Sequence, residues 1–181
     1  MGSHFWGFQL HGVIPDIVTI GKPLGNGHPV AAVVCTSEVA ERFDNGMEFF
    51  NTFGGNPVSC AIANEVLNVV KDEKLQANAL VVGNYIKKEL KRLAIRFPII
   101  GDVRGQGLFL GLEFVNEEKL PLADHADYII NRMKNFGILL STDGPDHNVI
   151  KIKPPLVFSL ENAKEFLHYF AKILNEDFMK N

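Results

Sequence analysis

Lys22 is the residue of this 181-residue chain whose setting best suits covalent chemistry. It follows the apolar run at 16–20, stands between Gly21 and Pro23, and opens a loop at 21–29 that holds three glycines and no other charged side chain. A lysine enclosed by apolar, glycine-lined walls has its charged form disfavoured, and the neutral amine is then a nucleophile. Schiff-base chemistry needs that reagent. A strand-end lysine pointing into water has the same sequence signature, so position alone leaves both readings open. Metal chemistry is not expected. The six histidines are scattered, and none pairs with another histidine or a cysteine at ligand spacing. Cys35 and Cys60 lie far apart in apolar surroundings, which predicts two buried, reduced thiols.

The elements that must position Lys22 are readable around it. Residues 16–20 are β-branched and predict a buried strand; the valine-rich run at 30–35 predicts a second. Thr36 and Ser37 open a short helix that Asn45 and Gly46 end. A loop at 49–57 leads to Asn56 and Pro57, a helix start, and Ala61, Ile62, Val66, Leu67, Val69 and Val70 give that helix a broad apolar face. Residues 75–95 carry Leu80, Val81, Tyr85, Ile86, Leu90 and Leu93 at helical spacing, with Lys87, Lys88, Glu89 and Lys91 on the wet side. Residues 99–107 read as the lead-in to a strand at 108–114. A helix at 122–136 ends at Gly137, a strand follows at 138–141, and 142–148 is a turn region. The strand at 149–152 stops at Pro154 and Pro155, and Ser159 caps a final amphipathic helix running to about residue 178.

Composition sets the outer limits. Apolar residues make up 46% and charged residues 22%, enough apolar surface to offset chain entropy in an ordered protein. The net charge of −3 gives no broad attraction to nucleic acid or to an anionic membrane. No apolar run reaches the roughly 20 residues of a membrane span, and the N-terminus lacks a signal-peptide pattern. At about 150 residues per domain, the length suggests one domain or one with a piece of another. The pattern divides at about residue 72. Residues 73–181 read as a compact α+β unit, whereas 1–72 has too few strands to cover the sheet its apolar runs imply. On pattern, 1–72 is the end of a larger sheet domain.

Four segments carry a family resemblance. Residues 15–29, PDIVTIGKPLGNGHP, closely resemble the cofactor-lysine segment of the class III pyridoxal-phosphate-dependent aminotransferases. Residues 51–57, NTFGGNP, resemble that family's phosphate-contacting loop, 102–108, DVRGQGL, its small-domain strand entry, and 151–156, KIKPPL, its C-terminal substrate-side segment. The resemblance runs in order over nearly the whole chain. It implies an α/β fold: the end of a pyridoxal-phosphate (PLP) fold type I large domain at 1–72, with a small α+β C-terminal domain at 73–181. It also implies that Lys22 forms a Schiff base with PLP and later shuttles a proton, while the cofactor is the electron sink. Thr52 would hydrogen-bond the cofactor phosphate of the partner subunit in a homodimer, with Gly54 and Gly55 allowing close backbone approach. Arg104 would bind a carboxylate or anchor the small domain, two equal alternatives. His28 is read as a structural loop residue. The implied enzyme is cytoplasmic and acts on a small amine and an oxo-acid.

The resemblance also marks what this stretch does not contain. The family's Gly/Ser-rich phosphate turn, ring-stacking aromatic residue and aspartate partner of the pyridine nitrogen belong upstream of these motifs. The chain is therefore expected to be a fragment, a truncated gene product or one part of a split polypeptide with an N-terminal fragment as partner, and inactive alone. Many relatives have an arginine at the place of Lys151, where it receives the substrate α-carboxylate through two parallel bonds. Lys151 offers a point charge instead. With the sequence STDGP at 141–145, it looks most like the branch near the alanine–glyoxylate aminotransferase 2-like proteins and the ethanolamine-phosphate phospho-lyases. A phospho-lyase acting on a phosphorylated amine is thus the alternative within the fold. A truncated module that has lost cofactor binding is the alternative outside it.

Overall fold

The chain forms two compact units, one of residues 6–75 and one of residues 76–181 joined by the first five residues. The structure is a computed structural model that describes residues 2–180; Met1 and Asn181 lie outside the described residues.

The unit at 6–75 contains a two-stranded antiparallel sheet. β1 (Ile17–Ile20) pairs with β2 (Ala32–Cys35) in the register Ile17↔Cys35 to Ile20↔Ala32. α1 (Ser37–Phe43) and α2 (Pro57–Asp72) follow. Asn56 caps α2 as expected: its Oδ1 accepts hydrogen bonds from the N–H groups of Val58 and Ser59 at 3.0 and 3.1 Å. The two strands exist where expected, but they are not buried. Ile17 is 54% exposed and Val33 68%. A ribbon of two strands has no layer to cover its faces. Cys35, at the end of β2, and Cys60, on α2, are exposed free thiols, so the expected buried pair is corrected. No residue of α2 is buried either, despite its apolar face.

The unit from residue 76 onward has a closed core. β3 (Ile100–Gln106), β4 (Phe109–Phe114), β5 (Ser141–Asp143) and β6 (Val149–Ile152) form an antiparallel sheet in the order β3-β4-β6-β5. Val103, Leu110, Leu112, Phe114, Ile150 and Ile152 line its inner face. They share one core with the apolar stripes of α3 (Leu75–Arg96), α4 (Ala123–Lys134) and α5 (Leu160–Leu174). Alternation along each strand leaves the opposite face open. Ser159 caps α5 with a reciprocal box, its Oγ accepting from the Asn162 N–H at 3.1 Å while Asn162 Oδ1 accepts from the Ser159 N–H at 3.0 Å. On α3 the buried residues are Ala79, Val82, Gly83, Ile86 and Leu90. Val81, expected on the apolar face, points outward.

Two corrections concern the sheet. β3 is a full strand rather than a lead-in, and β5 lies at 141–143 rather than 138–141. The buried Asn148 helps hold β4 to the segment entering β6: its Nδ2 donates to the Phe114 carbonyl at 2.8 Å, and its own carbonyl accepts the Phe114 N–H at 2.9 Å.

The segment after α5 is tied back to α4. Arg132 donates from Nε and Nη2 to the two carboxylate oxygens of Glu176 at 2.8 and 2.7 Å, and Tyr128 Oη donates at 2.6 Å. These bonds, Arg132 first, hold the Glu176 carboxyl down from 4.5 to about 2. Phe178 stacks on Tyr128 with ring centroids 4.3 Å apart, and Met179 is buried. Glu176 is more acidic folded than unfolded, so the stability it adds is present above pH 4.5 and is lost as pH falls from 4.5 toward 2. Glu176→Gln should lower stability by about 1–2 kcal/mol at neutral pH, the scale of a partly exposed charge-assisted network. Urea unfolding of both proteins at neutral pH and at pH 3 checks this, because the gap between them must narrow in acid.

Candidate functional site

Lys22 begins a 3-10 turn, Lys22–Leu24, one residue after β1 ends. The turn is held by backbone bonds from Leu24 N–H to the Gly21 carbonyl at 3.0 Å and from Gly25 N–H to the Lys22 carbonyl at 3.3 Å. Gly25 is a fixed requirement of the loop, because a Cβ there would lie 1.9 Å from the His28 carbonyl oxygen. His28 in turn bonds Ser59 on α2, Nε2 to Oγ at 2.8 Å, which ties the loop to the helix. It has the structural role expected of it. Lys22 itself is exposed, and no apolar wall closes over it in this chain. Of the two readings left open by its position, the exposed strand-end lysine is the one seen in this chain. Among the described residues no carboxylate pairs with it.

Thr52 lies in the same unit, on the loop between α1 and α2. Asn51 shapes that loop: its Oδ1 accepts from the Phe53 and Gly54 N–H groups at 3.1 and 3.0 Å, an Asx turn that straddles Thr52. Thr52 is exposed, and Gly55 has φ 69°, the left-handed region that favours glycine.

Arg104 and Lys151 belong to the other unit. Arg104 pairs with Gly111, and Gly111 with Lys151, so the three form one row across β3, β4 and β6 on the open face of the sheet. They line a hollow of about 350 Å³ with Phe109, Val149 and Asp143. Arg104 donates to Asp102 at 2.9 Å and to Glu113. Both bonds, Asp102 first, raise its pKa further. Lys151 Nζ donates to Asp143 Oδ2 at 2.6 Å. The structure therefore brings Arg104 and Lys151 into one hollow and places Lys22 and Thr52 on two loops of the other unit. Asp102, Glu113 and Asp143 were missed by sequence reasoning. The available signal was cross-strand register, since Asp143 faces Val149 and so lies diagonal to Lys151.

The family Aminotransferase class-III matches residues 2–174. The chain belongs to the class III aminotransferases. One relative, alanine–glyoxylate aminotransferase 2-like of Drosophila melanogaster, is 53% identical over 96% of this chain and 36% of its own length. Ethanolamine-phosphate phospho-lyase homolog 1 of Caenorhabditis elegans is 41% identical over 96% of the chain and 38% of its length. Among solved structures, a phospholyase from Arthrobacter in complex with phosphoethanolamine superposes with a TM-score of 0.92 at 43% identity, covering 96% of this chain and 42% of that one. The chain thus spans little more than a third of these two relatives' length, and its mixed α/β architecture is that of PLP fold type I aminotransferase structures.

The donor set suits pyridoxal phosphate in kind. An aldehyde calls for an amine with no carboxylate partner, and Lys22 meets that need. A phosphate calls for a hydroxyl donor beside small residues, and the exposed Thr52 beside Gly54 and Gly55 fits that in kind. Among the described residues, no group of three or more metal-ligating side chains gathers in one place, and no helix is long and apolar enough to cross a membrane.

Proposed function

We propose that this chain is the C-terminal portion of a PLP-dependent class III enzyme that moves an amino group between an amine and an oxo-acid. The observation that carries this is Lys22: an amine with no carboxylate partner among the described residues, set by a glycine-dependent turn at the end of a strand, within a chain of this family. When bound, the cofactor supplies an electron sink for the bond made and broken at the substrate's amine-bearing carbon. Lys22 would hold the cofactor through Nζ, and its freed amine would take and return the substrate proton. Thr52 would donate its hydroxyl to the phosphate across a homodimer interface. Lys151 would receive the substrate's anionic group, and Arg104 would shape the same hollow. The exposed apolar surface of β1, β2 and α2 supports a reading in which residues 6–75 complete a larger PLP-binding domain built with upstream sequence. Free thiols suit a reducing compartment, the cytoplasm or the mitochondrion that some relatives' names specify.

A second reading is favoured by one observation. Lys151 presents a point charge rather than a planar fork, which suits a phosphate at least as well as a carboxylate. The complete enzyme would then be a phospho-lyase on a phosphorylated amine. The test is to give the complete protein alanine with an oxo-acid, and phosphoethanolamine, in separate reactions. The aminotransferase reading expects keto-acid from alanine and no inorganic phosphate. Phosphate release from phosphoethanolamine without keto-acid from alanine would replace it with the phospho-lyase reading. Neither product would leave both refuted.

A further inference from the structure

The hollow on the open face of the sheet has a charge arrangement that the proposed function leaves unexplained. Two cations face it, Arg104 and Lys151, yet three carboxylates neutralise them. Arg104 is held by Asp102 and Glu113, residues of β3 and β4. Among the described residues, Lys151 is held by Asp143 alone. Between the two cations stands Gly111, which offers no side chain and leaves the middle of the row open. Any anion entering this space meets a cluster with more carboxylates than cations. Exchange is easiest at Asp143. It ends the edge strand β5, its side chain is 58% exposed, and its second oxygen accepts only the Gly144 N–H at 2.9 Å.

We infer that Asp143 is a built-in competitor for Lys151, displaced by a doubly charged phosphate but not by a monocarboxylate, so that it determines which anionic substrates the hollow accepts. The inference rests on the reading of Lys151 as the residue that receives the substrate's anionic group. A carboxylate tethered next to its partner competes at an effective concentration of millimolar order or above. A free monocarboxylate exchanges one carboxylate for another and must overcome that tether with no gain in charge. A phosphate monoester carries about −1.5 to −2 charge at neutral pH and has three acceptor oxygens. It gains attraction to Lys151 and has an oxygen to spare for the Gly144 N–H that a displaced Asp143 releases. Lys151 first, then the Gly144 N–H, hold the Asp143 carboxyl below the usual carboxylate range, so the competitor stays ionised through neutral pH.

The experiment is a titration of the full 181-residue chain with inorganic phosphate and, separately, with acetate, following the Lys151 side-chain resonances by NMR in lysine-labelled protein. The unsubstituted chain should respond to phosphate and stay silent to acetate at equal concentration. Asp143→Asn removes the competing charge, so phosphate should bind about ten-fold more tightly or better, on the scale of a charge-assisted bond, and acetate should become visible. Asp143→Ser should do the same, which guards against an amide that mimics the carboxylate. Lys151→Met should remove the phosphate response at the Gly111 amide. If Lys151 answers phosphate equally in the unsubstituted and Asp143→Asn chains, with acetate silent in both, Asp143 is no competitor, while Lys151 remains the anion site. If Lys151 answers neither anion in any variant, the reading of Lys151 as an anion site falls, and this inference falls with it.

Discussion

Lys22→Ala in the complete enzyme should cut turnover by about a thousand-fold or more. On the proposed function, the substitution would remove both the group that holds the cofactor and the base that carries the proton. Proton transfer by a positioned side chain is worth about 10²–10⁴-fold on its own. Lys22→Arg should not rescue activity, because a guanidinium keeps its proton and cannot serve as a nucleophilic amine. Stability should barely change: Lys22 is exposed, and its turn is held by backbone bonds and by Gly25 rather than by its side chain. That separates a chemical loss from a folding loss. The companion measurement is borohydride reduction of the PLP-loaded enzyme followed by peptide mapping. The pyridoxyl group should sit on Lys22 and be absent from the alanine variant. Label spread over surface lysines with Lys22 bare, or an alanine variant keeping a tenth of the activity, would overturn the assignment.

Helices were the legible part of this fold, and their capping residues explain why. Asn56 with Pro57, and Ser159 with Asn162, each act within three residues, so the local sequence states the element directly. β3 was not legible. Gly101, Asp102, Arg104 and Gly105 interrupt its apolar pattern, and only Ile100 and Val103 reach the core. The strand exists because β4 pairs with it, through a turn at Gly107 with φ 54°, and pairing is not a local property. β5 was placed too early for a related reason. Thr142 and Asp143 look like turn residues, but their partners Ile150 and Val149 hold them in the ladder.

Burial in residues 6–75 was misread because apolar, β-branched runs report what a strand would bury, not whether a covering layer is present. At the site, Lys22 could be singled out by its setting, and Arg104 and Lys151 by the family resemblance of their segments. Their neutralising carboxylates could not. Asp143 meets Lys151 eight residues away only because a hairpin sets the register, and Glu113 meets Arg104 only across β3 and β4.

Gly83→Ala tests the packing that carries the Arg104 hairpin, and the sign of its effect is decided by two opposed quantities. Gly83 lies in the middle of α3 and is buried. Alanine in a helix interior is better than glycine by about 1 kcal/mol, so propensity alone expects a gain. Against this, a Cβ at Gly83 would lie 2.1 Å from the Gly107 carbonyl oxygen, 2.3 Å from its carbonyl carbon and 2.7 Å from its Cα. All three are backbone atoms of the turn between β3 and β4, so no side-chain rotation can relieve the clash. Gly107 cannot easily give way, since its φ of 54° already sets the turn and Gly105, at φ 118°, is equally constrained against the Phe109 carbonyl. Overpacking of this kind costs about 1–3 kcal/mol or more, and it exceeds the propensity gain. The variant should therefore be less stable by up to about 2 kcal/mol, the difference between these two effects. A matched control sits one residue along α3: Asn84→Ala, at an exposed position on the same helix, gains propensity without a clash and should be neutral to slightly stabilising. The strain also has a route to the site. Lys87, one turn on from Gly83, donates to the Gly105 carbonyl at 2.8 Å, and Gly105 follows Arg104 in the chain. A shifted turn should loosen that bond and the Arg104 pairs with Asp102 and Glu113. Chemical denaturation reads the stability difference, and the Arg104 side-chain resonances read the local displacement. A Gly83→Ala protein as stable as the unsubstituted chain, with Arg104 unmoved, would mean that α3 and the hairpin do not pack as closely as 2.1 Å implies.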